Sequence, residues 1–116
     1  MNVRKWLGCL LGSVFLTGCR TEPVALPEKY LLLDVRTREE YDAGHLKGAV
    51  LIPHNTIRDQ INNVASNKEA PIFVYCRSGH RASVAQQALI AIGYTQVVNL
   101  GGVSAASQKT QLPILR

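Results

Sequence analysis

This 116-residue chain is expected to fold as a small three-layer α/β domain, with a mostly parallel sheet and helices on both faces. Three observations carry that expectation. Two apolar runs, Tyr30–Val35 and Pro71–Tyr75, show no polar alternation, as in strands covered on both sides. Segments of helical period separate the runs, with capping residues at their ends. The length suits one domain.

The elements come in this order. Residues 30–35 form the first strand. Arg38–Ala43 reads as a short helix, with Thr37 as N-cap, Glu39 and Glu40 in the first turn and Gly44 as its stop. Ala49–Ile52 is a second strand, ended by Pro53. A helix over 56–64 places Ile57, Ile61 and Val64 on one face. Asn62, Asn63, Ser66 and Asn67 mark the loop after it. Residues 72–75 form the central strand. The helix over 82–92 has Val84, Ala88 and Ala91 or Ile92 at apolar spacing, and Gly93 closes it. Val97–Leu100 is a further strand, and Gly101-Gly102 turns the chain into a last short helix.

Composition narrows the function classes. Nearly half the residues are hydrophobic, enough for a core, and the formal charge is +5. Arg4 and Lys5 contribute two of these charges, so the remainder is only mildly basic. With no basic run interleaved with aromatics, nucleic acid is not an expected partner. Small anions are the more economical ligands.

Residues 1–18 have the layout of a secretory signal: Arg4 and Lys5, then an apolar segment over 6–16 too short to span a bilayer. Leu16-Thr17-Gly18-Cys19 resembles a bacterial lipobox, which makes Cys19 the expected lipidation site. Several acyl chains on one residue anchor stably where one does not. An ordinary signal cut near Gly18 is the competing reading. Arg20 follows the cysteine, and no aspartate stands there to retain the product at the inner membrane. The expected location is therefore periplasmic, on the outer membrane, with membrane contact only through the anchor. Residues 19–28, with Pro23 and Pro27, read as an extended tether, and 29–116 as the folded domain.

Cys9, Cys19 and Cys76 lack the spacing of a disulfide framework. Cys76 closes the central strand and opens the loop Cys76-Arg77-Ser78-Gly79-His80-Arg81 before a helix. Backbone N–H groups and the positive helix end gather there, as in an anion-binding nest. Arg77 and Arg81 add positive charge, an environment suited to a nucleophilic thiolate. A buried structural cysteine is the alternative, but such residues sit in apolar surroundings rather than among Arg, Ser, Gly and His. Cys76 and His80 have a spacing a metal could use. No second pair accompanies them, so no metal site and no cofactor are expected.

Four segments resemble the rhodanese family of sulfurtransferases: Leu33-Asp34-Val35-Arg36 with Glu39-Glu40-Tyr41; Gly44-His45 through Pro53; Val74 through Arg81; and Gly93-Tyr94 through Gly101-Gly102, closing at Leu112-Pro113. The resemblance covers nearly all of residues 30–114. It implies that Cys76 attacks the outer sulfur of thiosulfate, carries it as a persulfide and passes it to a thiophilic acceptor such as cyanide, a thiol or a thiol protein. It implies that Arg77, Ser78, Gly79, His80 and Arg81 bind the donor, with Arg36 as a further candidate. His45 is expected to fix a turn, and Asp34 and Arg36 to pair with charges near the loop. A non-catalytic persulfide carrier or sensor remains a second reading. Related phosphatases and arsenate reductases place five residues between Cys and Arg; here four separate Cys76 from Arg81, which favours sulfur over phosphoryl. The family often has a tryptophan near the position of Ala106, so the packing of the last helix is left open. A monomer is expected.

Overall fold

The computed structural model describes residues 22–116. The leader, with Arg4, Lys5, Cys9 and Cys19, lies outside the described residues. Strands β1 (Leu31–Asp34), β3 (Val50–Leu51), β4 (Ile72–Cys76) and β5 (Val97–Gly102) form one parallel sheet in the order β3-β1-β4-β5. Helices α1 (Arg38–Ala43), α2 (Ile57–Gln60, continued by a 3₁₀ turn over Ile61–Asn63), α3 (His80–Ala91) and α4 (Val103–Thr110) connect and cover it. Strand β2 (His45–Leu46) pairs antiparallel with β6 (Ile114–Leu115) in a separate ribbon.

Strand side chains alternate between two cores. Leu33, Val35, Ile72, Val74 and Cys76 pack with Ile57, Ile61, Ala82, Ala85 and Leu89 under α2 and α3. Leu32, Phe73 and Tyr75 pack with Leu46, Leu100 and Ala106 on the opposite face. The continuous apolar runs are thereby explained, because both faces of β1 and β4 are covered. Ala106 is fully buried, so the last helix seats a methyl group against the sheet.

Several elements differ from the sequence expectation. Helix α3 begins at His80, two residues early, because Gly79 takes the left-handed conformation (φ 101°) and sets the helix start. Its fully buried face is Ala82, Ala85 and Leu89; of the expected stripe, Ala88 and Ile92 pack partly buried at the edge of the core, while Val84 is 43% exposed. The alanines let the helix lie close to the sheet, while Val84, Ala88 and Ala91 line an open groove with His54 and Arg58. Val24 and Leu26, read as tether, pack against the second core, and Val24 N–H donates to the Lys109 carbonyl at 2.9 Å. Gly93 (φ 109°) ends α3 as expected, with Tyr94 N–H donating back to the Leu89 carbonyl.

Candidate active site

Cys76 stands at the carboxyl end of β4, where open parallel sheets place their ligands. Its Sγ accepts hydrogen bonds from Gly79 N–H (2.9 Å) and Ala82 N–H (3.3 Å). The second donor belongs to the first turn of α3, so the sulfur sits at the positive end of that helix. Two converging amides are the arrangement that holds an anion on sulfur. Cys76 is free and fully buried, whereas Arg77, Ser78 and His80 are exposed above it. The nest expected at this position therefore holds a fully buried thiol, with Sγ turned to the loop amides and away from solvent.

The end of β5 forms the floor beneath the loop. A Cβ on Gly102 would run into the Arg77 carbonyl oxygen, so glycine is required for this approach. A Cβ on Gly79 would lie 3.4 Å from Gly101 Cα. The Asn99 carboxamide bridges the two segments, donating to the Gly79 carbonyl (3.2 Å) and accepting from Gly101 N–H (2.8 Å).

The Arg81 side chain is engaged by a carboxylate. Its guanidinium forms a bidentate pair with Glu40, at 2.8 and 3.0 Å, and both side chains are about a quarter exposed. Glu40 also accepts from Thr37 N–H (3.1 Å), while Thr37 Oγ1 accepts from Glu40 N–H (3.2 Å), completing a capping box. The Arg81 hydrogen bonds hold the Glu40 carboxyl at about 2, well below its usual 4.5. Arg81 is raised in turn, first by Glu40, with a smaller contribution from the Cys76 charge. Helix α1 has no fully buried residue; this pair, the packing of Tyr41 on the second core and the Tyr41 hydroxyl donating to the Ala49 carbonyl (2.7 Å) together hold it.

Arg36, the further donor-binding candidate, is turned inward. Its side chain is only 7% exposed, with Nε donating to Asp34 Oδ1 (2.9 Å) and Nη2 to Asp34 Oδ2 (2.6 Å) and the Gly44 carbonyl (2.7 Å). Asp34 and Arg36 thus neutralise each other and tie β1 to the α1–β2 turn. The hydrogen bond to Asp34 raises the Arg36 pKa. Next to them the Tyr75 hydroxyl accepts from Leu46 N–H at 3.0 Å, and burial pushes its pKa up. His45 stacks on Tyr41 and bonds the Tyr41 carbonyl through Nδ1 (2.9 Å), the turn-fixing role expected of it. Glu40 and Asn99 are the site residues that sequence reasoning missed. Asn99 left one trace, a polar residue in an otherwise apolar strand.

The sequence model of the rhodanese-like domain matches residues 23–109. The chain belongs to the rhodanese family. This rhodanese-like domain is 35% identical over 81 residues to thiosulfate sulfurtransferase PspE of Escherichia coli K12, covering 70% of this chain and 76% of that protein. It is 32% identical over 95 residues to a sulfurtransferase of Allochromatium vinosum, covering 82% and 87%. An E. coli rhodanese solved with anions superimposes with a TM-score of 0.68 at 30% identity, over 76% of this chain and 99% of that one. Sulfur transfer is the class of activity these relatives support.

Proposed function

We propose that this protein is a thiosulfate sulfurtransferase working through a persulfide on Cys76. The observation that carries the reading is the pair of inward amides on Sγ at the start of α3. In the first half-reaction the Cys76 thiolate attacks the outer sulfur of thiosulfate. A new S–S bond forms, the old one breaks, and its electron pair leaves with sulfite. In the second, cyanide or a thiolate attacks the outer sulfur, taking it as thiocyanate or a new persulfide and returning the Cys76 thiolate. Each half-reaction conserves charge and needs no outside oxidant. A thiolate nucleophile needs no general base.

The loop amides stabilise the sulfur anion, and the amides of His80 and Arg81 stand at the same helix end. Exposed Arg77, with Ser78 and His80, draws in the anionic donor. The Arg81 side chain, paired with Glu40, links α3 to α1 beside the loop. Cys76 is fully buried, so donor entry requires its surroundings to open. That burial supports a second reading, a persulfide carrier that opens only against a docked partner. Lipidation of Cys19 and residence on the periplasmic side of the outer membrane belong to the same proposal and are supported by the leader sequence. Cys19→Ser should move the protein from the membrane to the soluble fraction.

Purified protein should form thiocyanate from thiosulfate and cyanide with multiple turnovers, and Cys76→Ala should abolish it. One turnover per chain would favour the carrier. Equal activity in Cys76→Ala would refute both readings.

A further inference from the structure

The β5 strand carries one polar side chain among Val97, Val98 and Leu100, and that residue, Asn99, is half-buried. Val74 pairs with Asn99, yet Cys76 pairs with Gly102, so β5 spends one more residue than β4 over this step. Such a bulge re-aims the residues beyond it. Asn99 Oδ1 closes the turn by accepting from Gly101 N–H, two residues on, where φ is +90°. Its Nδ2 donates across to the Gly79 carbonyl. One carboxamide thus spans the bulge and the cysteine loop.

The Gly79 carbonyl has a second donor, Ser83 N–H at 3.0 Å. Two donors on one oxygen fix the plane of the 79–80 peptide. No peptide among the described residues is cis, so the His80 N–H points opposite to that carbonyl, out of the N-terminal end of α3. Ala82 N–H, at the same end, already reaches Sγ. The His80 N–H is thus a further donor at the helix end that carries Sγ.

We infer that Asn99 is a positioning residue for sulfur transfer, holding the 79–80 peptide so that the loop amides converge on the Cys76 persulfide. The inference rests on the sulfurtransferase reading above. The role needs a donor and an acceptor on one short side chain, which an amide supplies and a carboxylate does not.

The test uses the full chain with Asn99→Asp, which keeps the acceptor for Gly101 and opposes an oxygen to the Gly79 carbonyl. Asn99→Ser, too short to reach Gly79, serves where the first variant does not fold. Persulfide formation from thiosulfate is followed by intact mass in single turnover. The saturating rate should fall at least tenfold, with the half-saturating thiosulfate concentration within twofold of the parent. Amide hydrogen exchange at Gly79, Ala82 and Ser83 should accelerate at least tenfold, while that of Val74 stays unchanged. A saturating rate or a loop exchange within twofold of the parent overturns the inference. If the parent chain itself forms no persulfide, the sulfurtransferase reading fails separately, and the exchange data alone decide whether Asn99 holds the loop.

Discussion

Gly102→Ala adds a single methyl group to the floor of the cysteine loop. Gly102 has φ −84° and ψ 171°, ordinary for any residue, so the substitution brings no backbone strain. The new Cβ would collide with the Arg77 carbonyl oxygen and lie 3.1 Å from its carbon and 3.5 Å from Ser78 Cα. These are backbone atoms and cannot rotate away, so the loop itself must shift. Overpacking of this kind costs about 1–3 kcal/mol. Each kcal/mol lowers the melting temperature of a domain this size by roughly 4–8 °C. A displacement near 1 Å at a catalytic centre lowers the rate by about 100-fold. Thermal unfolding by circular dichroism and thiocyanate formation measure the two effects. Gly48→Ala is the control: φ is +86° with nothing within 4 Å, so it should lose about 1 kcal/mol by strain and keep its activity. A Gly102→Ala protein with the parent's melting temperature and rate would refute the close packing of loop on β5.

Three further substitutions probe the supports of the site. Glu40→Gln should cost about 1–2 kcal/mol at pH 7 for this partly exposed pair. The carboxyl titrates at about 2 in the folded protein and near 4.5 when free, so the contribution is complete above pH 4.5 and lost as pH falls toward 2; a urea-midpoint gap that does not narrow with acid would contradict this. Asp34→Asn leaves the Arg36 guanidinium buried without its anion and should destabilise by about 3–5 kcal/mol in urea unfolding, with a loss below about 1 kcal/mol contradicting the pairing. Tyr75→Phe strips Leu46 N–H of its acceptor and should cost about 1–3 kcal/mol by the same measurement, and an unchanged midpoint would argue against the contact.

Much of the sheet was legible in the sequence, because β1 and β4 are covered on both sides and so read as unbroken apolar runs. Thr37 and Gly44 marked α1 because capping chemistry is local. The core face of α3 was misread because Val84 outranks alanine in hydrophobicity, whereas a close helix–sheet approach selects the small residues Ala82 and Ala85. The β2–β6 ribbon has two residues per strand, too few for any periodicity to show. At the site, the cysteine and its amides followed from the loop and the helix start. The partners of the arginines did not. Arg81 meets Glu40 across 41 positions, a contact set by tertiary packing, whereas Arg36 turns back on Asp34 two residues away, a local pairing masked by the expectation of partners near the loop. Nor did the loop's composition reveal that the sulfur is fully buried.

The most direct measurement is the intact mass of the purified protein after incubation with thiosulfate and no acceptor. The expected product is heavier by one sulfur atom, mapped to the peptide containing Cys76 and discharged by cyanide with release of one thiocyanate per chain. An unchanged mass, or an added sulfur on any other residue, would contradict it.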